Sequence, residues 1–377
     1  MNNNSNDTPP TVTVTSTTSP TATATTTVSS TNAVMADDNI SEHSLASEFL
    51  TTNLNPPFNK KGSIEIYRDC FYAKLTHGLT AYQLFEPAVS ESDPSQLEPR
   101  LIRNFKQKTS PKKTKLVLYM HGMYWWGFTF HRLVQPLIQK GYTVLLFDFY
   151  GRGRSDSPDI PYTLDTYLGQ AIDLIDYLSV ERVYLIGYSM GGAVATHFAA
   201  THPQRIIRLC LMGPAIIPVS IPLVAKLITM PYLGKFLFKL AGASQLIRSV
   251  ENDRFKNDVT DPEKIDPNII DDMIEKVKWQ VLEKPGFLDS FHSTLYNNNF
   301  ANGHLHLLPN IPANLPITVI LGSNDVVIPI TSAKSAIKHH LPQATIVTIE
   351  SGHAFQVEAP QLLKAALIDE YLKESAV

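Results

Sequence analysis

From about residue 116 onward, the apolar positions of the chain follow two alternating patterns. Short apolar runs rich in β-branched and aromatic residues predict buried strands, and longer stretches with helical spacing separate them. The predicted strands are KLVLYM, YTVLLFDF, VYLIGY, RLCLMGP, PITVILG and ATIVTIE. The predicted helices are HRLVQPLIQKG, LDTYLGQAIDLIDYLSV, MGGAVATHFAATH, SAKSAIKHHL and PQLLKAALIDEYLK. This alternation predicts an α/β fold with a doubly wound, mostly parallel sheet.

The segment before this region is organised differently. The stretch IEIYRDCFYAKLTHGLTAYQLFEP alternates apolar and polar residues around a His-Gly pair, which predicts a β-hairpin. A polar, proline-rich loop is expected from the end of this hairpin to about Lys115.

The N-terminal segment has no pattern of either kind. Residues 1–32 consist mainly of Thr, Ser, Asn, Pro and Ala, and we expect a low-complexity, disordered tail over 1–60. It contains no apolar stretch long enough for a secretory signal, and its first basic residue is Lys60, which disfavours a mitochondrial transit peptide. These observations predict a cytoplasmic protein.

Composition excludes several classes of function. The formal net charge is −3 and the basic run SPKKTK is short, so no nucleic-acid partner is expected. Cys70 and Cys210 are too few and too far apart for a disulfide framework, which favours a reducing compartment. His304 and His306 form an HLH pair without nearby Cys or acidic partners, so neither a metal site nor a cofactor is predicted.

The stretch LIGYSMGG joins a predicted strand to a predicted helix rich in small residues. A serine that points out of such a sharp turn has a strained backbone, and its neighbours two residues away on each side must be small. Gly187 and Gly191 stand at these positions around Ser189. The pattern predicts a nucleophile elbow, although a short G-x-S-x-G also occurs by chance.

Other groups with suggestive chemistry also follow predicted strands. His121 and Gly122 follow the first strand of the sheet, Asp325 follows PITVILG, and His353 follows ATIVTIE. Because functional groups collect at the carboxyl ends of such strands, Ser189, Asp325 and His353 are candidates for a nucleophile, an orienting acid and a base. Asp325 is alternatively a turn or helix-cap residue, since this is the commoner role of an aspartate after a strand.

Taken together, YMHGMYWW, DFYGRGRSD, GYSMGG, LGSNDVVIP and SGHAFQVEAP resemble the α/β-hydrolase superfamily from about Leu116 to the C-terminus. The resemblance implies a catalytic triad of Ser189, His353 and Asp325. It also implies an oxyanion hole formed by the backbone N–H groups of Met123 and Met190. His121 is then a buried support of the oxyanion loop. The acid position that some members use after RLCLMGP carries no carboxylate here, which favours Asp325.

About a hundred residues separate the strands RLCLMGP and PITVILG, and the resemblance implies a helical cap inserted there. The expected organisation is a core over 61–215 and 315–377, interrupted by a cap over 216–314. The cap begins with the apolar stretch IPLVAKLITMPYLGKFLFKLAGA, whose proline, glycine and lysines exclude a transmembrane helix. It is expected to pack on the core, or alternatively to form a lid that also contacts lipid or admits a long acyl chain. Phe236 and Phe238 are candidates to line such an acyl pocket. The oligomeric state is left open.

A serine at the elbow favours attack on a carbonyl carbon over the epoxide and halide chemistry of relatives that carry an aspartate there. The expected function is hydrolysis of a carboxylic ester with an apolar acyl group, so that the partner is a small ester or lipid-like substrate. Hydrolysis of a C–C bond in a diketone-like substrate is an alternative. A ligand receptor or scaffold without turnover is a second alternative.

Overall fold

The computed structural model describes residues 13–15, 70–91, 93, 95–104, 115–218, 230, 233–255 and 258–373. Several predictions lie outside these residues. They are the disorder of most of the 1–60 tail, the start of the hairpin before Cys70, most of the basic run SPKKTK, and the apolar stretch over 219–229.

The strands of the described residues are β1 (Thr13–Thr15), β2 (Phe71–Leu75), β3 (Gly78–Val89), β4 (Leu97–Ile102), β5 (Leu116–Met120), β6 (Thr143–Phe147), β7 (Val183–Tyr188), β8 (Ile206–Met212), β9 (Ile317–Gly322) and β10 (Thr345–Ile349). They agree with the predicted runs to within a few residues, apart from β1 and β4, which were not predicted from the sequence.

The helices lie mainly in the connections between these strands. They are α1 (His131–Gln139), α2 (Leu164–Tyr177), α3 (Met190–Thr201), α4 (Leu233–Ser249), α5 (Pro267–Glu283), α6 (Phe287–Asn297), α7 (Ile330–His340), α8 (Phe355–Glu358) and α9 (Pro360–Ala365). Segments of π-helix over Val250–Arg254 and Ala366–Tyr371 continue α4 and α9. Short 3-10 turns cover Gly127–Phe130, Pro203–Arg205, Pro262–Lys264 and Leu305–Asn310.

The described strands form one sheet in the order β1-β10-β9-β8-β7-β5-β6-β3-β2, with β4 beside β3. The six strands from β10 to β6 are mutually parallel, whereas β1, β2, β3 and β4 pair in antiparallel fashion. The parallel strands bring their carboxyl ends to one edge of the sheet, which is where the predicted site residues follow them in the sequence.

Helices cover both faces of this sheet, as the doubly wound prediction requires. Along β5, Leu118 and Met120 pack in the cluster that contains α2, α3 and α7, whereas Val117 and Tyr119 pack with α1 and the C-terminal helices. Successive strand residues point to opposite faces, so a strand with helices on both sides is apolar throughout. The five residues of β5 are accordingly all buried.

Two elements correct the sequence interpretation. The loop predicted after the hairpin contains β4, which pairs with the end of β3 so that Pro99 lies opposite Pro87. Prolines and alternating polar residues obscured this strand, but an edge strand tolerates both. Within the 1–60 tail, Thr13–Thr15 pairs with Ile346–Thr348 of β10, a strand that the sequence interpretation did not include. The β-branched run TVTVT suits such an edge pairing.

The connection between β8 and β9, residues 213–316, is called the insertion below. Its described helices α4, α5 and α6 bury one another around Phe238, Phe255, Met273, Val277 and Phe291. Met123, Tyr124, Trp125 and Phe128, from the loop after β5, pack against this same cluster. The insertion therefore contacts the part of the core that carries the candidate site. The limits predicted for a cap, 216–314, remain a prediction.

Candidate active site

Ser189 occupies a strained turn between β7 and α3. Its backbone has φ 54° and ψ −116°, a conformation that residues other than glycine rarely adopt. A β carbon at Gly187 would lie 2.5 Å from the carbonyl oxygen of Gly191, and one at Gly191 would lie 2.2 Å from that of Met120. The two glycines are therefore sterically required, for the reason that the sequence pattern suggested.

The imidazole of His353 lies next to this serine. Its Nε2 is 3.0 Å from Ser189 Oγ, although 164 residues separate the two in the sequence. His353 follows β10 and is buried. Because β7 and β10 end at the same edge of the sheet, the tertiary fold brings the two side chains within hydrogen-bond distance.

Asp325 completes a chain of hydrogen bonds. Its Oδ2 is 2.8 Å from Nδ1 of His353, and its Oδ1 accepts hydrogen bonds from the backbone N–H groups of Val327 and Ile328 at 2.9 and 2.7 Å. Asp325 thus accepts hydrogen bonds from the turn and also contacts His353. Its role as a turn residue and its candidate role as the orienting acid therefore do not exclude each other. With a carboxylate at Nδ1, the proton of a neutral ring lies on Nδ1, and Nε2 is left to accept from the serine hydroxyl.

The two predicted oxyanion residues flank this chain. Met190 is the first residue of α3, so its N–H belongs to the amides that lack an acceptor within the helix. Met123 follows Gly122, where a β carbon would lie 3.0 Å from the ring of Tyr188 and 3.4 Å from the β carbon of Ser189. The loop after β5 is therefore pressed against the elbow.

His121 lies beneath this loop and is fully buried. Its Nε2 accepts a hydrogen bond of 2.9 Å from the N–H of Phe149, so its Nδ1 carries the hydrogen and donates to the carbonyl of Gly122 at 2.7 Å. Burial lowers the pKa of His121 to about 3, which keeps the ring neutral. These contacts agree with the expected supporting role.

Two residues that sequence reasoning missed hold the His353 loop in place. The hydroxyl of Tyr188 donates to the backbone carbonyl of His353 at 3.1 Å. The carboxylate of Glu358 accepts from the N–H of Gly352 at 2.7 Å and from the N–H of Thr260, in the insertion, also at 2.7 Å. Both lie inside the motifs GYSMGG and SGHAFQVEAP, but neither residue type signals its partner in the sequence.

The aromatic run MYWWGF belongs to the interface between the core and the insertion. Trp126 is fully buried, whereas Tyr124 and Trp125 are partly exposed. The ring pairs are Tyr124 with Phe291, Trp125 with Phe255 and Trp126 with Trp279, at centroid distances of 5.2, 6.1 and 5.9 Å. Trp126 is therefore a buried packing residue of this interface.

Phe236 and Phe238, the two candidates to line an acyl pocket, point in different directions. Phe238 is only 4% exposed and stacks on Phe291, whereas Phe236 is 64% exposed. Helical spacing turns residues two positions apart to different sides of α4, so Phe238 faces the aromatic cluster and Phe236 faces outward.

The described residues also bear on metal and membrane binding. In the described ranges, His, Cys, Asp and Glu side chains form no group of three or more with an arrangement suited to a metal ion. His304 and His306 are neighbours, with ring centroids 6.0 Å apart. Each helix in the described part of the chain is too short or too polar to cross a lipid bilayer.

The parallel sheet, the strained elbow serine and the groups at the neighbouring strand ends define an α/β hydrolase. The model of the alpha/beta hydrolase family matches residues 117–366, and the chain belongs to this family. It is 28% identical over 249 residues to the 2-hydroxymuconate semialdehyde hydrolase of Pseudomonas sp. (strain CF600), an alignment that spans 65% of this chain and 81% of that protein.

Solved structures show the same fold. An esterase from Exiguobacterium antarcticum superposes with a TM-score of 0.56 at 18% identity, covering 80% of this chain and 99% of that one. The enol-lactonase from Burkholderia xenovorans LB400 superposes with a TM-score of 0.57 at 19% identity, covering 80% of this chain and all of that one.

Proposed function

We propose that this α/β hydrolase is a serine hydrolase that cleaves carboxylic esters with an apolar acyl group. The observation that carries the proposal is the continuous hydrogen-bond chain from Asp325 through His353 to Ser189. A serine on a strained turn, paired with a histidine whose tautomer an acid fixes, is suited to attack on a carbonyl carbon.

The proposed reaction has two halves. His353 Nε2 accepts the Ser189 proton as Oγ attacks the carbonyl carbon, and the N–H groups of Met123 and Met190 bind the oxyanion. The tetrahedral intermediate collapses to an acyl-enzyme as the alcohol leaves with the proton from His353. Water, deprotonated by His353, then attacks the acyl carbon, and the second collapse releases the acid and returns the proton to Ser189.

The apolar surroundings support an apolar acyl group. Tyr124 and Trp125, which directly follow Met123, pack against the aromatic cluster of the insertion around Phe255 and Phe291. An acyl chain leaving the oxyanion site toward this cluster would meet carbon surface, which rewards each buried methylene by about 0.8 kcal/mol.

We also propose that the insertion contacts lipid. Leu233, Phe236 and Leu240 recur at helical spacing on α4 and are 47%, 64% and 75% exposed. Lys235 and Lys239 lie on the same helix, each paired with Asp289 at 3.3 and 3.6 Å. An exposed apolar stripe with neighbouring cations fits the surface of a lipid aggregate.

Hydrolysis of a C–C bond is the second candidate, and the similarity to a 2-hydroxymuconate semialdehyde hydrolase favours it. That name describes a carboxylate, an enol and an aldehyde but no ester, so hydrolysis of such a compound cuts a bond between carbons. The same three residues would serve this reaction, because it too passes through a tetrahedral centre at a carbonyl carbon.

The test combines a covalent probe with a substrate panel. A fluorophosphonate should label Ser189 in the full chain but not in Ser189→Ala. p-Nitrophenyl esters from acetate to octanoate are then compared with a 2-hydroxy-6-oxo-dienoate. Faster turnover of the esters supports the proposal, and turnover of the dienoate alone supports the C–C hydrolase. Labelling without turnover of either would indicate a ligand receptor.

A further inference from the structure

Three successive carbonyl groups of the loop after β5 accept hydrogen bonds from three buried side chains. Gly122 accepts from His121 as described, Met123 accepts from Nε of Arg152 at 2.7 Å, and Tyr124 accepts from Nε2 of Gln280 at 2.9 Å. A peptide group is planar, so fixing a carbonyl also fixes the N–H of the following residue. The peptide that carries the Met123 N–H is therefore held by His121, and the two peptides that follow it are held from outside the loop by Arg152 and Gln280.

Arg152 is an unusual residue for this task. It is fully buried, and its other hydrogen bonds go to the carbonyl of Gly151 and to the hydroxyls of Ser290 and Thr294, at 3.1, 3.1 and 3.3 Å. Its guanidinium also lies 5.0 Å from the ring centre of Phe291. In the described ranges, Arg152 takes part in no ion pair with a carboxylate.

Burial without a carboxylate partner is costly for a cation, and it lowers the pKa of Arg152. A neutral side chain would fill this space at a smaller cost. What the guanidinium adds is a planar set of donors that reaches Met123 on one side and the hydroxyls of α6 on the other. It thereby links the oxyanion loop to the insertion.

Gln280 makes a second link of the same kind. It lies on α5 of the insertion and is fully buried. Its Oε1 accepts from the N–H of Gly153 at 2.8 Å while its Nε2 donates to the carbonyl of Tyr124. One amide thus joins α5, the loop around Arg152 and the oxyanion loop.

We propose that Arg152 and Gln280 are positioning residues through which the insertion aligns the Met123 amide for oxyanion binding. This inference rests on the proposed function, since it assigns a role in the same site. The insertion is then part of the machinery that stabilises the transition state. Neither residue is assigned a contact with the reacting atoms. Arg152 acts through the carbonyl of Met123, on the peptide that follows the Met123 amide, and Gln280 acts through the carbonyl of Tyr124, one peptide further along.

The test compares an ester with the thionoester that carries the same acyl and alcohol groups. Sulfur is a weaker hydrogen-bond acceptor than oxygen, so a thionoester gains less from an aligned oxyanion hole. The measured quantity is the ratio of kcat/KM for the ester to kcat/KM for the thionoester. The variants are Arg152→Lys and Gln280→Met in the full chain.

Arg154→Lys is the matched control. Arg154 lies in the same loop and is also buried, but its side chain approaches Cys70, with Nη1 3.6 Å from Sγ, whereas the side chain of Arg152 binds the carbonyl of Met123. Thermal unfolding of every variant separates loss of the fold from loss of alignment. If Arg152→Lys does not fold, Gln280→Met still tests the proposal, because it exchanges neutral groups of similar size.

We expect Arg152→Lys to lower the ester-to-thionoester ratio about tenfold or more, and Gln280→Met to lower it about threefold, through kcat with little change in KM. Arg154→Lys should leave the ratio unchanged. The pH dependence of kcat/KM should also stay unchanged in the two variants, because neither residue contacts His353 or Asp325.

An unchanged ratio in a folded Arg152→Lys and a folded Gln280→Met would overturn the inference, as would an equal fall in Arg154→Lys. The failure of the proposed function looks different. In that case the unmodified protein already cleaves no ester, whether or not Ser189 takes up a fluorophosphonate, so the failure is seen before any variant is compared and it removes the positioning role in ester hydrolysis as well.

Discussion

A β carbon on Gly213 would lie 3.1 Å from Cε1 and 3.2 Å from Nδ1 of His353. Gly213 is the residue that follows β8, and its φ of +46° is a conformation that L side chains rarely adopt. The absence of a side chain at this strand end therefore provides the space in which the imidazole reaches both Asp325 and Ser189.

The first prediction follows from this contact. Gly213→Ala should displace the His353 ring and lower kcat about tenfold to a hundredfold, because small errors of alignment are costly in catalysis. Gly169→Ala is the matched control, since that glycine lies inside α2 with no atom within 4 Å of a new β carbon. It should keep kcat and raise stability by about 0.5–1 kcal/mol. Steady-state kinetics and urea unfolding measure both effects, and a normal kcat in Gly213→Ala would contradict the prediction.

Loss of the acid should disable the base. In Asp325→Asn the amide no longer fixes the tautomer of His353, so kcat should fall about a thousandfold or more, as expected also for Ser189→Ala and His353→Ala. The exposed Asp159→Asn provides a control for the loss of one charge. Near-normal turnover by Asp325→Asn would mean that another residue is the acid.

Acid should destabilise the fold through buried histidines. Burial lowers the pKa of His131 to about 3, from an ordinary value of about 6.5 in the unfolded chain. Between these values the unfolded state binds a proton that the folded state excludes, so stability is lost as the pH falls from about 6.5 toward 3. The loss is about 1.4 kcal/mol per pH unit for such a group.

His131→Gln should reduce this slope by about that amount, whatever its effect on absolute stability. Urea unfolding at a series of pH values measures the slopes of both proteins. Above about pH 7.5 the two slopes should coincide. Equal slopes below pH 6.5 would show that His131 gains its proton in the folded protein.

The lipid surface proposed on α4 can be tested by sedimentation with vesicles. Replacing Phe236 and Leu240 together by Ser should reduce binding to vesicles of phosphatidylcholine and phosphatidylserine, because both side chains are exposed on one helix. Val89→Ser removes an equally exposed apolar residue from β3 and should not affect binding. Unaltered sedimentation of the double variant would argue against α4 as the contact.

The proposed preference for an apolar acyl group can be tested by varying the length of the acyl chain in the ester substrate. If the aromatic cluster of the insertion receives the chain, kcat/KM should rise about fourfold per methylene from acetate upward and then level off. Phe238→Leu should flatten this slope, whereas Phe198→Leu, the same change in the core on α3, should not. A steady decline from acetate in the unmodified protein would exclude an apolar acyl pocket.

Much of the fold could be predicted from the sequence because its signals are local. Strand runs, helical spacing and the glycines around Ser189 each reflect short-range geometry, and the order of the strand ends placed Ser189, Asp325 and His353 on one edge. The two strands with weak local signals, β1 and β4, were missed for the same reason. β4 is interrupted by proline, and β1 is a three-residue strand in a composition typical of disorder.

The tertiary structure alone decided which distant side chains support the site. Nothing near Arg152, Gln280, Tyr188 or Glu358 in the sequence indicates that their partners are backbone groups of the loop after β5 and of the His353 loop. Such contacts depend on how the insertion docks on the core, which long-range packing determines. The sequence by itself determined the sheet and the candidate triad. Only packing determined which side chains hold the loops of the site in place, because a hydrogen bond to a backbone carbonyl requires no particular residue type at the acceptor.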